Sequence, residues 1–280
     1  MSLADKYFKK AVRTILKDNI SDNNMTVRAK WPDGMPAHTL KTFCFICEYD
    51  LDRELPILTL RKQSIKGVIK ELLWMWRDKS NNIKKLDSHI WDAWADKNGS
   101  IGKAYGYQLK QKYKFPEGKC DQVDHLIYEL KHNPSSRRII TNIYNFQDLH
   151  KMNLYPCVFE TMWDVSNGKL NMTLIQRSGD LLAAAGPGGW DCLQYAILQH
   201  MIAQVCNLKV GKFVHIINNL HIYDRHIPIV KKILKNPEYE APKLVINKNI
   251  KNFYDFTLDD FKLEDYNNTI LEDKFEVAEW

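Results

Sequence analysis

The 280-residue sequence lacks the features that mark membrane, secreted or multidomain proteins. No apolar run approaches the roughly 18 residues that a membrane-spanning helix needs. The N-terminal Met-Ser-Leu-Ala-Asp-Lys has no basic stretch followed by an apolar one, so no secretory signal is expected. No Pro/Gly/Ser-rich linker or repeat divides the chain. We therefore expect a soluble, cytoplasmic protein without a membrane partner, folded as one domain over residues 1–280.

Cysteine and charge are also sparse where a metal or nucleic-acid site would need them. The chain has six cysteines, and Cys44 and Cys47 form its one C-x-x-C pair. That pair lies in an apolar stretch typical of a strand, where residues three apart face opposite sides, so no metal is expected. The net charge of +6 is spread among acidic residues, as on a solvated surface. We expect no nucleic acid to be required; a small anion held by a few arginines fits better.

Hydrophobic periodicity predicts helices and strands without regular alternation, which indicates an α+β fold. Strands and a hairpin around Asn167-Gly168 are predicted by alternation and turn residues. Helices are predicted over residues 3–19, 63–77, 121–132, 192–207 and 225–235, strands over 38–60, 137–145 and 212–217, a hairpin over 157–176, and a loop rich in tryptophan and glycine over 88–108.

Cys157 follows a proline at the start of a predicted strand. Taken alone, it is better explained as a buried structural cysteine. The pair Arg137-Arg138 and the segment Arg177-Ser178 offer guanidinium groups suited to bidentate phosphate recognition. Such cationic surroundings would also lower the pKa of the thiol and make Cys157 a nucleophile. For each arginine the simpler alternative is a surface ion pair.

Two polar side chains, His221 and Tyr223, alternate along a short extended run. They are therefore expected on the same face, where they suit a sugar hydroxyl. A satisfied polar pair near a turn explains them equally well.

Several short segments taken together resemble the successive signatures of the thymidylate synthase family, in the family's order and over nearly the whole chain. The segments are Glu-Leu-Leu-Trp (71–74), Ile-Trp-Asp-Ala-Trp (90–94), Ala-Tyr-Gly-Tyr-Gln (104–108), Pro-Ser-Ser-Arg-Arg (134–138), Pro-Cys (156–157), Gln-Arg-Ser-Gly-Asp (176–180), His-Ile-Tyr (221–223) and Phe-Tyr-Asp-Phe (253–256). The resemblance implies a three-layer α+β fold and a homodimer with the mixed sheet at its interface. It also implies a pyrimidine nucleoside monophosphate substrate and 5,10-methylenetetrahydrofolate as co-substrate.

The resemblance also implies roles for individual residues. Cys157 is the implied nucleophile, and Glu71 and Tyr105 serve the proton transfers. The implied phosphate ligands are Arg28, Arg177 and Ser178 of one subunit with Arg137 and Arg138 of the other. His221 and Tyr223 bind the ribose, and Trp91, Trp94 and Asp180 line the folate side.

Asp191 stands where the family normally carries an asparagine that spans the O4 and N3–H edge of uracil. An ionised aspartate would face O4 acceptor to acceptor, at a cost of roughly 1–3 kcal/mol. A carboxyl group matches the reversed pattern of cytosine and can protonate N3 during attack, as in the dCMP hydroxymethylases and methylases of the family. We therefore expect a catalytic and base-reading Asp191 and a dCMP substrate.

The product depends on how well the closed site excludes water. The chain ends Phe-Glu-Val-Ala-Glu-Trp, whereas the family's synthases end in a short apolar tail. In those synthases the tail helps to seal the cavity against water. Here the charge of Glu279 and the bulk of Trp280 put the seal in doubt, which favours a dCMP hydroxymethylase, with methylation of dCMP next. The alternatives are an ordinary thymidylate synthase that acts on dUMP and a non-catalytic nucleotide- or RNA-binding homologue.

Overall fold

A computed structural model describes residues 1–183 and 186–279. Its helices and mixed sheet confirm the predicted α+β class. The strands are β1 (Ile20–Ser21), β2 (Thr39–Asp50), β3 (Tyr113–Phe115), β4 (Gly118–Cys120), β5 (Ile140–Asn142), β6 (Val158–Ser166), β7 (Lys169–Gln176), β8 (Gly179–Asp180), β9 (Lys209–Tyr223), β10 (Lys243–Ile246) and β11 (Phe261–Glu264). The α-helices are α1 (Leu3–Asp18), α2 (Ile65–Leu72), α3 (Gly106–Leu109), α4 (Gln122–His132), α5 (Trp190–Val205) and α6 (Ile227–Ile233).

A seven-stranded sheet in the order β1-β2-β9-β7-β6-β5 organises the molecule, with β8 also paired to β9. The β7–β9 and β8–β9 pairs are parallel, and the other neighbours are antiparallel. Helices α1 and α5 pack on this sheet, and α2 packs on α5. Strands β3–β4 and β10–β11 form two separate hairpin-like pairs. Among the described residues, no helix is long and apolar enough to cross a membrane.

Helix α1 follows directly from its sequence. The Ser2 side chain caps the first turn by accepting from the Asp5 backbone N–H, and Asn19 ends the helix in the left-handed conformation. Its buried face is formed by residues at helical spacing, among them Phe8, Val12 and Ile15. Helix α5 differs, since it is buried almost all round, as its largely apolar sequence predicts.

Of the strands predicted over residues 38–60, only the first forms. Strand β2 ends at Asp50, and residues 51–60 form no strand, although residues 55–60 are buried. They can be buried without a strand partner because other groups receive their backbone N–H donors: Asp5 Oδ1 accepts from Thr59 N at 2.9 Å, and the Gly188 carbonyl accepts from Leu58 N at 3.1 Å. Within β2, Cys44 is exposed and Cys47 is buried, as the strand prediction requires.

Two other elements differ at their ends. Helix α2 continues into a π-helical turn over Leu73–Arg77, the kind of irregularity that is common beside functional sites. Strand β9 (Lys209–Tyr223) is longer than the predicted 212–217. The polar residues Asn218 and Asn219 suggest that the strand ends there, but it continues through them. The extra length carries His221 and Tyr223 within β9.

Candidate active site

One cavity of about 400 Å³ lies where the ends of several elements meet. Its wall includes residues from α2, β7, β9, the N-terminal end of α5 and the C-terminal segment 275–278. Among the predicted site residues, those on the wall are Glu71, Trp91, Trp94, Tyr105, Cys157, Ser178, Asp180, Asp191, His221 and Tyr223.

Cys157 lies in this wall beside Arg177. The Arg177 Nη2 atom is 3.7 Å from the Cys157 Sγ, and the guanidinium also donates to the carbonyls of Tyr155 and Pro156. Arg177 thus holds the segment that presents the thiol. The charge of Arg177 lowers the pKa of this thiol as expected, but burial outweighs it in the single chain and raises the pKa to about 11.

Glu71 is a buried carboxyl group on α2. Its Oε2 accepts from Trp91 Nε1 and its Oε1 from Gln194 Nε2, both at 3.1 Å. Burial raises the pKa of Glu71 to about 7, although these hydrogen bonds oppose the shift. A carboxyl group with a pKa near neutrality can both donate and accept a proton.

Asp191 lies in the first turn of α5, in the same cavity. Burial and then the charge of Glu71 raise the pKa of Asp191 to about 7. A hydrogen bond of 2.9 Å from Gln176 Nε2 to Asp191 Oδ2 opposes the shift. The site therefore contains two carboxyl groups that titrate near pH 7 and influence each other.

Tyr105 combines an unusual backbone with a contact to the thiol segment. Its φ of 46° and ψ of −108° lie in a region that residues with a side chain rarely adopt. The phenol oxygen accepts from the Cys157 backbone N–H at 3.2 Å. Burial keeps the pKa of Tyr105 well above its ordinary value, so the phenol is neutral and can donate its proton to a ligand.

The far side of the cavity is formed by β8 and the end of β9. His221 and Tyr223 both line it, as residues two apart on a strand should, with ring centroids 5.2 Å apart. Asp180 accepts from the Leu182 backbone N–H at 2.9 Å. Burial would raise the pKa of Asp180, but His226 and His221 lower it, so this carboxylate is ionised.

Four predicted phosphate ligands lie outside the cavity wall, and one of them, Arg177, is half-buried beside Cys157. Arg28, Arg137 and Arg138 are all exposed in the single chain. Arg137 and Arg138 were expected to act in the other subunit's site, and their position leaves them available for this.

The tryptophan loop and the C-terminal segment form an apolar wall. Trp91 contacts Trp94 and Tyr105 edge to face, with centroids 5.6 and 5.0 Å apart. The buried Trp94 Nε1 has no hydrogen-bond partner among the described residues. Phe275, Val277 and Ala278 also line the cavity, whereas Trp280 lies outside the described residues. A flat aromatic ligand with a hydrogen-bond acceptor fits this wall.

Sequence reasoning missed several wall residues, notably Arg61, Gln176, Gln194 and Tyr195. Gln194 and Tyr195 could have been found, since they are three and four residues after Asp191 and share its helix face. Gln176 ends an alternating strand immediately before Arg177, where alternation places it inward. Nothing in the sequence marks Arg61.

A separate group of metal-ligand types lies on the β3–β4 pair and α4, away from the cavity. It consists of Glu117, Cys120 and His125. The His125 imidazole is paired with Glu117 and stacked on Phe115 with centroids 3.7 Å apart. These contacts account for the group, and we assign no metal to it.

Comparison with known proteins decides the family. The family model described as thymidylate synthase matches residues 6–278. The chain belongs to the thymidylate synthase family. It is 48% identical to thymidylate synthase of Bacillus licheniformis, over 99% of this chain and 100% of that protein. It is 44% identical to thymidylate synthase of Clostridium beijerinckii over 95% of each chain. The structure of thermostable thymidylate synthase A from Bacillus subtilis matches with a TM-score of 0.92 and 43% identity, over 98% of this chain and 99% of that one.

These findings confirm the predicted thymidylate synthase fold and a one-carbon transferase that uses 5,10-methylenetetrahydrofolate as co-substrate. They overturn the expected dCMP hydroxymethylase, because the full-length relatives are named thymidylate synthase and nothing points to the dCMP-modifying members.

The structure gives physical reasons for this correction. Uracil was disfavoured on the assumption that Asp191 is ionised, whereas this half-buried carboxyl group has a pKa near 7 and can be neutral. The argument for hydroxymethylation assumed an open C-terminal seal, whereas Phe275, Val277 and Ala278 line the cavity.

Proposed function

We propose that this thymidylate synthase family member converts dUMP to dTMP in a single cytoplasmic catalytic domain. The proposal rests chiefly on one observation: Cys157, Glu71 and Asp191 line the same cavity. Such a cavity can direct a sulfur nucleophile and two proton carriers at the same heterocycle. The names and full-length coverage of the relatives support dUMP as the substrate.

Uracil can be bound through a neutral Asp191. A protonated carboxyl group has one hydroxyl donor and one carbonyl acceptor, the same pair that an amide offers. The hydroxyl would donate to O4 of uracil and the carbonyl oxygen would accept from N3–H. The acceptor-to-acceptor clash of an ionised aspartate is then absent, and the hydroxyl can stabilise charge that develops on O4.

Covalent activation of the nucleotide is assigned to Cys157. Its sulfur bonds to C6 of uracil and loses its proton as the bond forms, while Arg177, 3.7 Å from the sulfur, stabilises the thiolate character. The electron pair displaced toward C5 makes that carbon nucleophilic. The folate supplies the one-carbon unit and the hydride that completes the methyl group, and the C5 proton passes to Glu71 before the hydride arrives. Elimination of the sulfur from C6 then frees Cys157.

Proton transfers are assigned to Glu71 and Tyr105. Glu71 has the pKa near 7 that suits a group which both removes and returns protons. Tyr105 is neutral and hydrogen-bonded to the nucleophile's own backbone, so it can exchange a proton close to C5 and C6. Trp91, Trp94 and Asp180 form the folate side of the cavity.

The nucleotide's sugar and phosphate would be held by the remaining residues. His221 and Tyr223 bind the ribose hydroxyl, and Arg28, Arg177 and Ser178 bind the phosphate. Arg137 and Arg138 of the partner subunit complete the phosphate site in a homodimer.

The open face of the sheet supports such a homodimer. Phe43 is 78% exposed and Ile46 is 49% exposed on β2, and Ile140 and Met162 are exposed on β5 and β6. Apolar side chains of this size on a sheet face are typical of an interaction surface. The homodimer with the mixed sheet at its interface would bury them.

Trapping with 5-fluoro-dUMP and methylenetetrahydrofolate tests the proposal. The fluorine at C5 cannot leave as a proton does, so the covalent complex should accumulate and peptide mapping should find it on Cys157. Cys157→Ser should form no stable complex, whereas Cys120→Ser, an equivalent change outside the cavity, should behave as the original protein. Turnover of dUMP that survives in Cys157→Ser would contradict the assignment.

A further inference from the structure

The buried side chain of Gln176 lies directly behind Asp191. Its Nε2 donates to Asp191 Oδ2 at 2.9 Å and to the Ser178 carbonyl at 2.9 Å. Its Oε1 is 2.7 Å from His215 Nε2. Gln176 and His215 are both fully buried, on the neighbouring strands β7 and β9. Both hydrogens and the oxygen of the amide are therefore in use.

The orientation of this amide follows from its partners. The Ser178 carbonyl can only accept a hydrogen bond, so the NH₂ group must face it. The reversed amide would place Oε1 against that carbonyl oxygen and against Asp191 Oδ2. With Oε1 facing His215, the imidazole must carry its proton on Nε2. His215 Nδ1 has no partner among the described residues, and burial lowers the pKa of His215 to about 3, so the ring is neutral.

This arrangement acts on the two oxygens of Asp191 unequally. Because Gln176 always donates to Oδ2, that oxygen is an acceptor, and the proton of a neutral carboxyl group is favoured on Oδ1. We propose that Gln176, oriented by His215, decides which oxygen of Asp191 carries the proton and so fixes the order of acceptor and donor facing the pyrimidine. The proposal rests on the proposed function, in which Asp191 reads the base.

The order matters because uracil and cytosine present opposite patterns. Uracil offers the N3–H donor and the O4 acceptor, whereas cytosine offers the N3 acceptor and an amino donor. An unconstrained carboxylic acid could place its proton on either oxygen and match both bases. A carboxyl group held by Gln176 presents one order, so Gln176 and His215 are positioning residues for base choice.

Other titratable groups also face Asp191. They are Glu71 on α2, Tyr105 before α3, Cys157 before β6, and Cys192 and Tyr195 on α5. Burial keeps the pKa values of the two phenols and the two thiols above their ordinary values, so these groups stay neutral near pH 7. Glu71 is the facing group among the described residues that titrates in the same range.

A substrate-free titration tests the proposal first. The carboxyl carbon of Asp191 is followed by ¹³C NMR against pH in the original protein and in Gln176→Leu. Removing the donor should raise the titration midpoint by about one pH unit, a tenfold change in proton affinity. His215→Phe, which leaves Gln176 in place but unanchored, should shift it in the same direction by less.

Gln199 provides a matched control. It is also a fully buried glutamine, whose amide donates to the Leu170 and Lys212 carbonyls at 2.7 and 3.0 Å. Gln199→Leu should therefore leave the Asp191 midpoint unchanged. A midpoint equal in Gln176→Leu and Gln199→Leu overturns the proposal.

Base choice is the second readout. Gln176→Glu replaces the donor by an acceptor, which draws the Asp191 proton to Oδ2. The ratio of dUMP to dCMP affinity, measured by calorimetry at pH 6, should fall about ten- to hundredfold. An unchanged ratio in a folded variant overturns the proposal. Absence of dUMP turnover in the original protein would instead refute the proposed function. It would not affect the NMR titration, which needs no substrate and tests the hydrogen bond from Gln176 directly.

Discussion

Replacement of Asp191 by asparagine should change how dUMP turnover depends on pH. The pKa of Asp191 is raised to about 7, chiefly by burial. Only the neutral form presents the hydroxyl donor to O4, and its fraction falls to about one tenth at pH 8 and about one hundredth at pH 9. An asparagine keeps its donor at every pH. The kcat/KM of the original protein relative to Asp191→Asn should therefore fall about tenfold per pH unit above 7.

Steady-state assays with dUMP and methylenetetrahydrofolate between pH 5.5 and 9 measure this ratio. Taking the ratio at each pH largely removes the ionisation of Glu71, which both proteins share. Because the two carboxyl groups influence each other, the observed titration midpoint is a property of the pair and not of Asp191 alone. The ratio of kcat/KM values still falls at alkaline pH, however the pKa shift is divided between the two groups. Parallel profiles from pH 6 to pH 9 would refute the reasoning.

Three further predictions concern stability, proton transfer and the dimer. The folded-state pKa of Asp191 lies above the ordinary value of 3.8, so its ionisation lowers stability as pH rises between the two values. The free energy of unfolding of Asp191→Asn, relative to that of the original protein, should thus rise by about 2–3 kcal/mol from pH 5 to pH 8. The rise would be seen as a higher Tm at fixed protein concentration, and its absence would contradict the effect of burial on Asp191. Glu71→Gln should lower kcat by about 10²–10⁴ while stoichiometric dUMP binding persists, and near-normal turnover would exclude Glu71 from proton transfer. Mixing inactive Cys157→Ser and Arg138→Ala subunits should restore activity, because one site of the mixed dimer receives both intact groups; no recovery in verified mixed dimers would contradict the shared phosphate site.

The sequence was most informative about which residues meet in the cavity. Cys157, Ser178, Asp191 and His221 lie at or near the ends of elements that local patterns predict, and the sheet order brings those ends together. Their site roles, however, came from the resemblance of their motifs to those of the thymidylate synthase family; taken alone, Cys157 was better explained as a structural cysteine.

What the sequence could not predict was the environment of those residues. Neighbouring arginines suggested a lowered pKa for Cys157, whereas burial dominates and raises it. Burial depends on the packing of distant elements, so no local pattern contains it. The same limit applies to Asp191, because uracil was disfavoured on the assumption that this carboxyl group is ionised.

Gln176 illustrates a second limit. In the sequence it is the polar end of an alternating strand, with no feature that distinguishes it from a structural glutamine. Its importance depends on His215, which is 39 positions away and becomes its neighbour only through the parallel pairing of β7 with β9. Register of this kind is set by the whole sheet.

The most direct test of the central claim is a competition between two nucleotides. The protein is incubated at pH 6.5 with methylenetetrahydrofolate and equal concentrations of dUMP and dCMP, and the products are identified by mass spectrometry. The account predicts that dUMP gains the mass of one CH₂ group and becomes dTMP while dCMP is recovered unchanged. Modified dCMP beside intact dUMP would contradict it.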